Sequence, residues 1–166
     1  MIDSRFAKVL HQLHNKLDID EINWAVTGSL GFALQGMDVD VNDIDIQTDK
    51  SGAYEVERRF SRYAVRKVEF SSSKKIRSHF GELIIDGIKV EVMGDIQKCL
   101  PDGTWEDPPD ICSNRRFINC GRLSIPVMSL EYECEAYYKL GRTEKADQVR
   151  RYLEQHRLDR NRRPMD

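Results

Sequence analysis

A chain of 166 residues, 40% hydrophobic and 33% charged, can bury one core and suits a single globular domain. No apolar run approaches the roughly 18 residues of a membrane span, and the opening Met1-Ile-Asp-Ser-Arg-Phe6 lacks the apolar core of a signal peptide. A cytoplasmic location with no membrane partner is expected. The net charge of −2 argues against a large electrostatic grip on nucleic acid. Cys99, Cys112, Cys120 and Cys134 show no C-x-x-C spacing, which argues against structural zinc and for reduced thiols.

In chain order, Phe6, Val9, Leu10, Leu13 and Leu17 recur at helical spacing and predict an amphipathic first helix over 6–17. Residues 23–27 form a short apolar run that ends at Gly28-Ser29, a buried strand running into a turn. Residues 30–34 predict a short helix capped by Gly36. Residues 41–47 alternate apolar and polar, the pattern of a two-faced strand. A second helix is expected over 52–63, with Tyr54, Val56 and Phe60 as core contacts, and a polar loop over 71–75. Gly81 to Ile85, the pair Asp86-Gly87 and Ile88 to Met93 read as a hairpin, the glycine supplying the positive φ of a tight turn. A loop-rich excursion over 100–109 follows, then a strand over 122–127 closed by Pro126. Ser129 is the expected N-cap of a helix, Gly141 separates it from another over 143–156, and Arg157, Arg160, Arg162 and Arg163 precede Pro164 in a solvated basic end.

Two features carry chemistry. Gly28-Ser29 joins a strand to a helix; glycine lets backbone amides approach a phosphate, and serine adds a hydroxyl. The P-loop spacing and its lysine are absent. Asp43 and Asp45 lie two apart in a strand, so both carboxylates point to one side while Ile44 and Ile46 face the core. Such a pair suits Mg²⁺, which also takes oxygens from substrate phosphates. A third acid comes from the second hairpin strand: Glu91 shares a face with Lys89 and Met93, and Asp95 further along is the competing choice. It could bind metal or act as base toward an acceptor hydroxyl, or simply pair with Lys89 or Lys67. His79 reads as a strand-start histidine before a proton shuttle, and Trp105, Tyr137 and Tyr138 as packing residues before base-stacking ones.

Taken together, Val26-Thr-Gly-Ser-Leu-Gly-Phe-Ala-Leu-Gln-Gly36, Asp43-Ile-Asp-Ile46 and Val90-Glu-Val92 resemble the DNA polymerase β-type nucleotidyltransferase superfamily. The resemblance is to its small prokaryotic branch of minimal, antibiotic and toxin–antitoxin-like nucleotidyltransferases. Ile125-Pro-Val-Met-Ser-Leu-Glu131, Lys139-Leu-Gly-Arg142 and Lys145-Ala-Asp147 extend it. It implies an α/β (α+β) nucleotidyltransferase fold: a mixed sheet flanked by helices, with a core over 1–128, a helical segment over 129–157 and a basic tail over 158–166. It further implies Gly28 and Ser29 as the phosphate turn, Asp43, Asp45 and Glu91 as catalytic and metal-binding carboxylates for Mg²⁺ or Mn²⁺, and Lys139 as a nucleotide-phosphate contact. The implied reaction moves a nucleoside monophosphate from an NTP to a hydroxyl of a small molecule, a tRNA end or a protein, releasing pyrophosphate. A homo-oligomer or a toxin–antitoxin partner is compatible with it. Two departures from the superfamily pattern stand out: Glu91 where aspartate is commoner, and Asp38 and Asp40 in a 30–42 segment without a basic residue. They leave room for a weakly active or inactive binding module on the same fold.

Overall fold

The computed structural model describes residues 2–162, and side chains through residue 158. Helix α1 (Ser4–Lys16) is followed by β1 (Trp24–Thr27), α2 (Gly28–Leu34), β2 (Ile44–Thr48) and α3 (Lys50–Arg59) with a 3₁₀ turn (Ser61–Tyr63). Strands β3 (Ala64–Ser72), β4 (Ile76–Ile85) and β5 (Ile88–Lys98) come next, then α4 (Ile111–Asn114), β6 (Arg115–Cys120), β7 (Leu123–Met128), α5 (Leu130–Lys139) and α6 (Thr143–Arg162). The strands form one mixed sheet in the order β3-β4-β5-β2-β1-β7-β6. β2 runs parallel to β5 and β1 parallel to β7, while β1 and β2 are antiparallel. This is the mixed, helix-flanked α/β arrangement that the family resemblance implies.

Alternation in the central strands sorts the molecule into two sides. Val26, Ile44, Ile46, Val90 and Val92 meet α1 and α3 through Phe6, Leu10, Leu13, Val56 and Phe60, all in one buried cluster. At about 25 cal/mol per Å² of apolar surface, this layer is the main source of stability. The opposite side is closed by α5, where Ala25, Ile111 and Met128 pack with Tyr132. Phe32 of α2 joins Leu130, Tyr137, Ala146 and Val149, tying both C-terminal helices to α2.

The Asp-Gly hairpin forms as expected, with Asp86 at φ 50° and Gly87 at φ 80°. Ser129 caps α5, its Oγ accepting from the Tyr132 amide at 3.1 Å, and Gly141, at φ 75°, breaks α5 from α6. Other expectations need correction. β3 and β6 are strands that periodicity does not announce, because both are sheet edges carrying charge; in β3 only Val68 is buried. The polar loop shrinks accordingly, since Ser71 and Ser72 belong to β3. Pro126 lies inside β7 opposite Phe117 rather than closing the strand. Tyr54 is 39% exposed and leaves the core to Val56 and Phe60. α6 runs to Arg162, five residues beyond residue 157; the side chains of Arg160 and Arg162, and all of residues 163–166, lie outside the described residues.

Candidate active site

The site grows from the side of the sheet that faces α5. β1 ends at Thr27, whose register partner on β2 is Asp45, and Asp45 is in turn opposite Glu91 on β5. Three adjacent strands therefore set Thr27, Asp45 and Glu91 in one row across the sheet. Gly28 follows with φ +70°, and a Cβ there would stand 2.6 Å from Asp45 Oδ2. Glycine is required twice over, by the left-handed backbone and by the carboxylate against it. Ser29 lies in the first turn of α2. Asp43 sits just ahead of β2, where the Lys89 ammonium lies 3.7 Å from its Oδ2 and 3.3 Å from Glu91 Oε1.

This crowding leaves an electrostatic mark. Burial, then a hydrogen bond with Glu91, then the charges of Glu91, Asp43 and Glu133 push the Asp45 carboxyl up to about 7. Such a value belongs to a carboxylate drawn out of water and crowded by other acids. The donors are all hard oxygens and they repel one another, which suits a divalent ion. Among the described residues no three acidic, imidazole or thiol groups stand as a ready-made cage; Lys89 draws Asp43 and Glu91 toward itself instead.

The comparisons give this geometry its context. A model of the aminoglycoside-2″-adenylyltransferase family matches residues 9–154. The chain belongs to that family. A structure of a candidate nucleotidyltransferase from Thermotoga maritima is 58% identical, covers 93% of this chain and 96% of its own, and superposes with a TM-score of 0.82. The lincosamide antibiotic adenylyltransferase LnuA, solved with lincomycin, is 17% identical over 80% of this chain and 84% of its own, with a TM-score of 0.50. ANT(2″)-Ia, solved with adenylyl-2″-tobramycin, is 13% identical over 93% of this chain and 87% of its own, with a TM-score of 0.57. These last two share the fold. A search of curated proteins finds no match. The superfamily that the motifs suggested is therefore the right one, and the chain is a member of a transferase family.

Within this adenylyltransferase-family chain, the remaining candidates fall into place. Asp95 adopts φ 49°, and its neighbour Gly94 pairs with Thr48 at the far end of β2, so Glu91 is the acid opposite Asp45. Lys139 is engaged by Glu106 at 2.6 Å and Glu135 at 3.1 Å. Lys145, on the first turn of α6, lies over the rings of Tyr137 at 5.2 Å and Phe32 at 5.9 Å. Burial, then the Arg142 charge, lowers its pKa, while Glu133 and Asp45 pull the other way. Its ammonium is half-buried and lies within the influence of both Glu133 and Asp45. His79 is remote in role: its Nδ1 is 3.0 Å from Tyr54 Oη, and Tyr54 and Phe70 meet it edge-on. Trp105 stacks under Arg77, Tyr137 is buried against Phe32, and Tyr138 hydrogen-bonds Asp147.

One residue escapes a reading by motif. Glu133 is 4% exposed and accepts from Thr27 Oγ1 and, at 3.2 Å, from the Gly28 amide. Burial raises its pKa, and the bonds from Thr27 and Gly28 oppose the rise. The signal was present in helical spacing: Leu130, Glu133, Ala136 and Tyr137 share the buried stripe of α5, so this acid had to face inward.

Proposed function

We propose that the protein is a divalent-metal-dependent adenylyltransferase that moves a nucleoside monophosphate from an NTP, ATP foremost, to a hydroxyl of a small acceptor and releases pyrophosphate. The observation that carries this reading is the Thr27–Asp45–Glu91 row with Gly28 pressed against Asp45, in a chain of an adenylyltransferase family. Gly28 and Ser29 present their turn to the phosphates, and Lys145 contributes an ammonium from α6; Lys139, held by two glutamates, is the less available of the two. Asp43, Asp45 and Glu91 would hold Mg²⁺ or Mn²⁺. When bound, such an ion would supply positive charge to offset that of the phosphates and of the leaving pyrophosphate.

The chain's own residues do the rest. The acceptor oxygen bonds to the α-phosphorus as the bond from that phosphorus to the α–β bridging oxygen breaks. The electron pair leaves with pyrophosphate, and Glu91 takes the hydroxyl proton. Lys89, 3.7 Å from Asp43 and 3.3 Å from Glu91, would have to give up these contacts for the two carboxylates to hold a metal.

A thermal-shift titration with each NTP, with and without Mg²⁺ or Mn²⁺, tests this on wild type and an Asp43→Asn/Asp45→Asn variant. At about 100 times its dissociation constant a ligand adds roughly 2.7 kcal/mol. A metal-dependent shift confined to wild type is expected. No shift with any NTP would refute the reading.

A further inference from the structure

Beneath the carboxylate row runs a second polar feature, and its hydrogen bonds all point the same way. Lys98 Nζ, on β5, donates to Tyr132 Oη at 3.2 Å, and Tyr132 Oη donates to Gln47 Oε1 at 3.4 Å. Gln47 Nε2 donates to Thr27 Oγ1 at 3.3 Å, and Thr27 Oγ1 donates to Glu133 Oε1, which also receives the Gly28 amide. The chain begins at an ammonium and ends at a carboxylate. Lys98, Gln47, Thr27 and Glu133 are each no more than 5% exposed. Among the described residues no carboxylate comes within ion-pair distance of Lys98. A buried charge at each end of a relay is costly unless the relay joins them. In low dielectric, aligned hydrogen bonds polarise one another and spread both charges along the chain.

The placement gives the relay a purpose. Its negative end grips the first amide of the turn that the proposed function assigns to phosphate. An unbalanced carboxylate there would repel an incoming triphosphate; one joined to Lys98 through four aligned bonds repels it less. Glu133 also holds Gly28 in the φ +70° conformation in which its Cα can lie against Asp45. Tyr132 stays a neutral donor throughout, since burial pushes its phenol up to about 12.

We propose, resting on the nucleotide reading above, that Lys98 and Glu133 are positioning residues for the nucleotide, coupled through Tyr132, Gln47 and Thr27 to set the shape and charge of the Gly28-Ser29 turn. Neither needs to touch the reacting atoms.

Calorimetric titration of the full chain with ATP and Mg²⁺, without acceptor, tests this. Thr27→Val, Lys98→Met and Glu133→Ala each weaken ATP binding about fivefold or more, the worth of one ordinary hydrogen bond. Glu133→Gln, which can still accept from Thr27 and Gly28 and carries no charge to repel the phosphates, binds ATP no more than about twofold worse than wild type. Thr27→Val/Lys98→Met is no more than about twofold worse than the poorer single variant, because a relay cut once is already cut. Thr27→Val keeps the side-chain volume and both charged residues and removes only the hydroxyl between Gln47 and Glu133, so it carries the test if Lys98→Met or Glu133→Ala fails to fold. ATP binding unchanged in Thr27→Val and Lys98→Met overturns the relay alone, as do fully multiplying effects or a Glu133→Gln as poor as Glu133→Ala. Wild type that binds no ATP overturns the nucleotide reading itself, and this role with it.

Discussion

Asp45→Asn should make the metal-free protein more stable. The folded state holds this carboxyl at about 7 against an ordinary 3.8, through burial and then through Glu91, Asp43 and Glu133. A raised folded-state pKa means that the native state binds the proton more tightly, so stability is greatest in acid and falls as pH rises from about 4 to 7. At 1.36 kcal/mol per pKa unit the whole difference is worth about 4 kcal/mol at pH 8. Sharing the burden with Glu91 and partial solvent access reduce this to a net gain of about 1–2 kcal/mol for the neutral asparagine. In a domain of this size that raises Tm by roughly 3–6 °C. Thermal melts in chelator at pH 8 and pH 5 measure it, and at pH 5 the gain should shrink to about a third. Added Mg²⁺ or Mn²⁺ should then lift wild type and leave the variant behind. An Asp45→Asn protein that melts at or below wild type in chelator at pH 8 refutes the reasoning, as does a gain that is the same at both pH values.

Lys89→Gln removes the cation lying 3.3 Å from Glu91 and 3.7 Å from Asp43; Mn²⁺ should bind about fivefold tighter by calorimetry, the worth of one solvated charge at ~4 Å. Lys145→Ala should weaken ATP binding about tenfold, the value of a hydrogen bond to a charged group, whereas Lys139→Ala should change it by less than about twofold in the same titration. Gly94→Ala places a methyl 2.7 Å from both the Asp49 carbonyl and the Ala53 Cβ, so a loss of about 1–3 kcal/mol is expected in urea unfolding as β5 and α3 are forced apart. Ser129→Ala removes the α5 cap and should lower stability by about 1 kcal/mol, with ATP affinity reduced too if α5 carries Glu133 to the turn.

Local chemistry made much of this protein legible in one dimension. Gly28-Ser29, the Asp43/Asp45 pair and the Asp86-Gly87 hairpin are short-range signals, because a tight turn needs its glycine and a strand sends alternate residues to opposite sides. The central strands and α1 show themselves through the spacing of residues that must leave water. The edge strands β3 and β6 do not, since an edge has little to bury and carries charge against unwanted pairing. The choice between Glu91 and Asp95 was equally closed to the sequence, because only the parallel pairing of β2 with β5 fixes which residue stands opposite Asp45.

The lysines and Glu133 mark the same boundary. As a residue type on a helix, Lys139 resembles Lys145; the difference is that Glu106, 33 residues away, reaches Lys139, while Lys145 lies between two rings near the carboxylates. Helical spacing puts Glu133 on the apolar stripe of α5, but its meeting with Thr27 and Gly28 is decided only when α5 folds over the sheet. The sequence by itself determined which residues could do phosphate and metal chemistry, since that follows from side-chain type and nearest-neighbour geometry. Only the tertiary structure decided which of them meet, because charge and hydrogen bonding act over a few ångströms in space, whatever their separation along the chain.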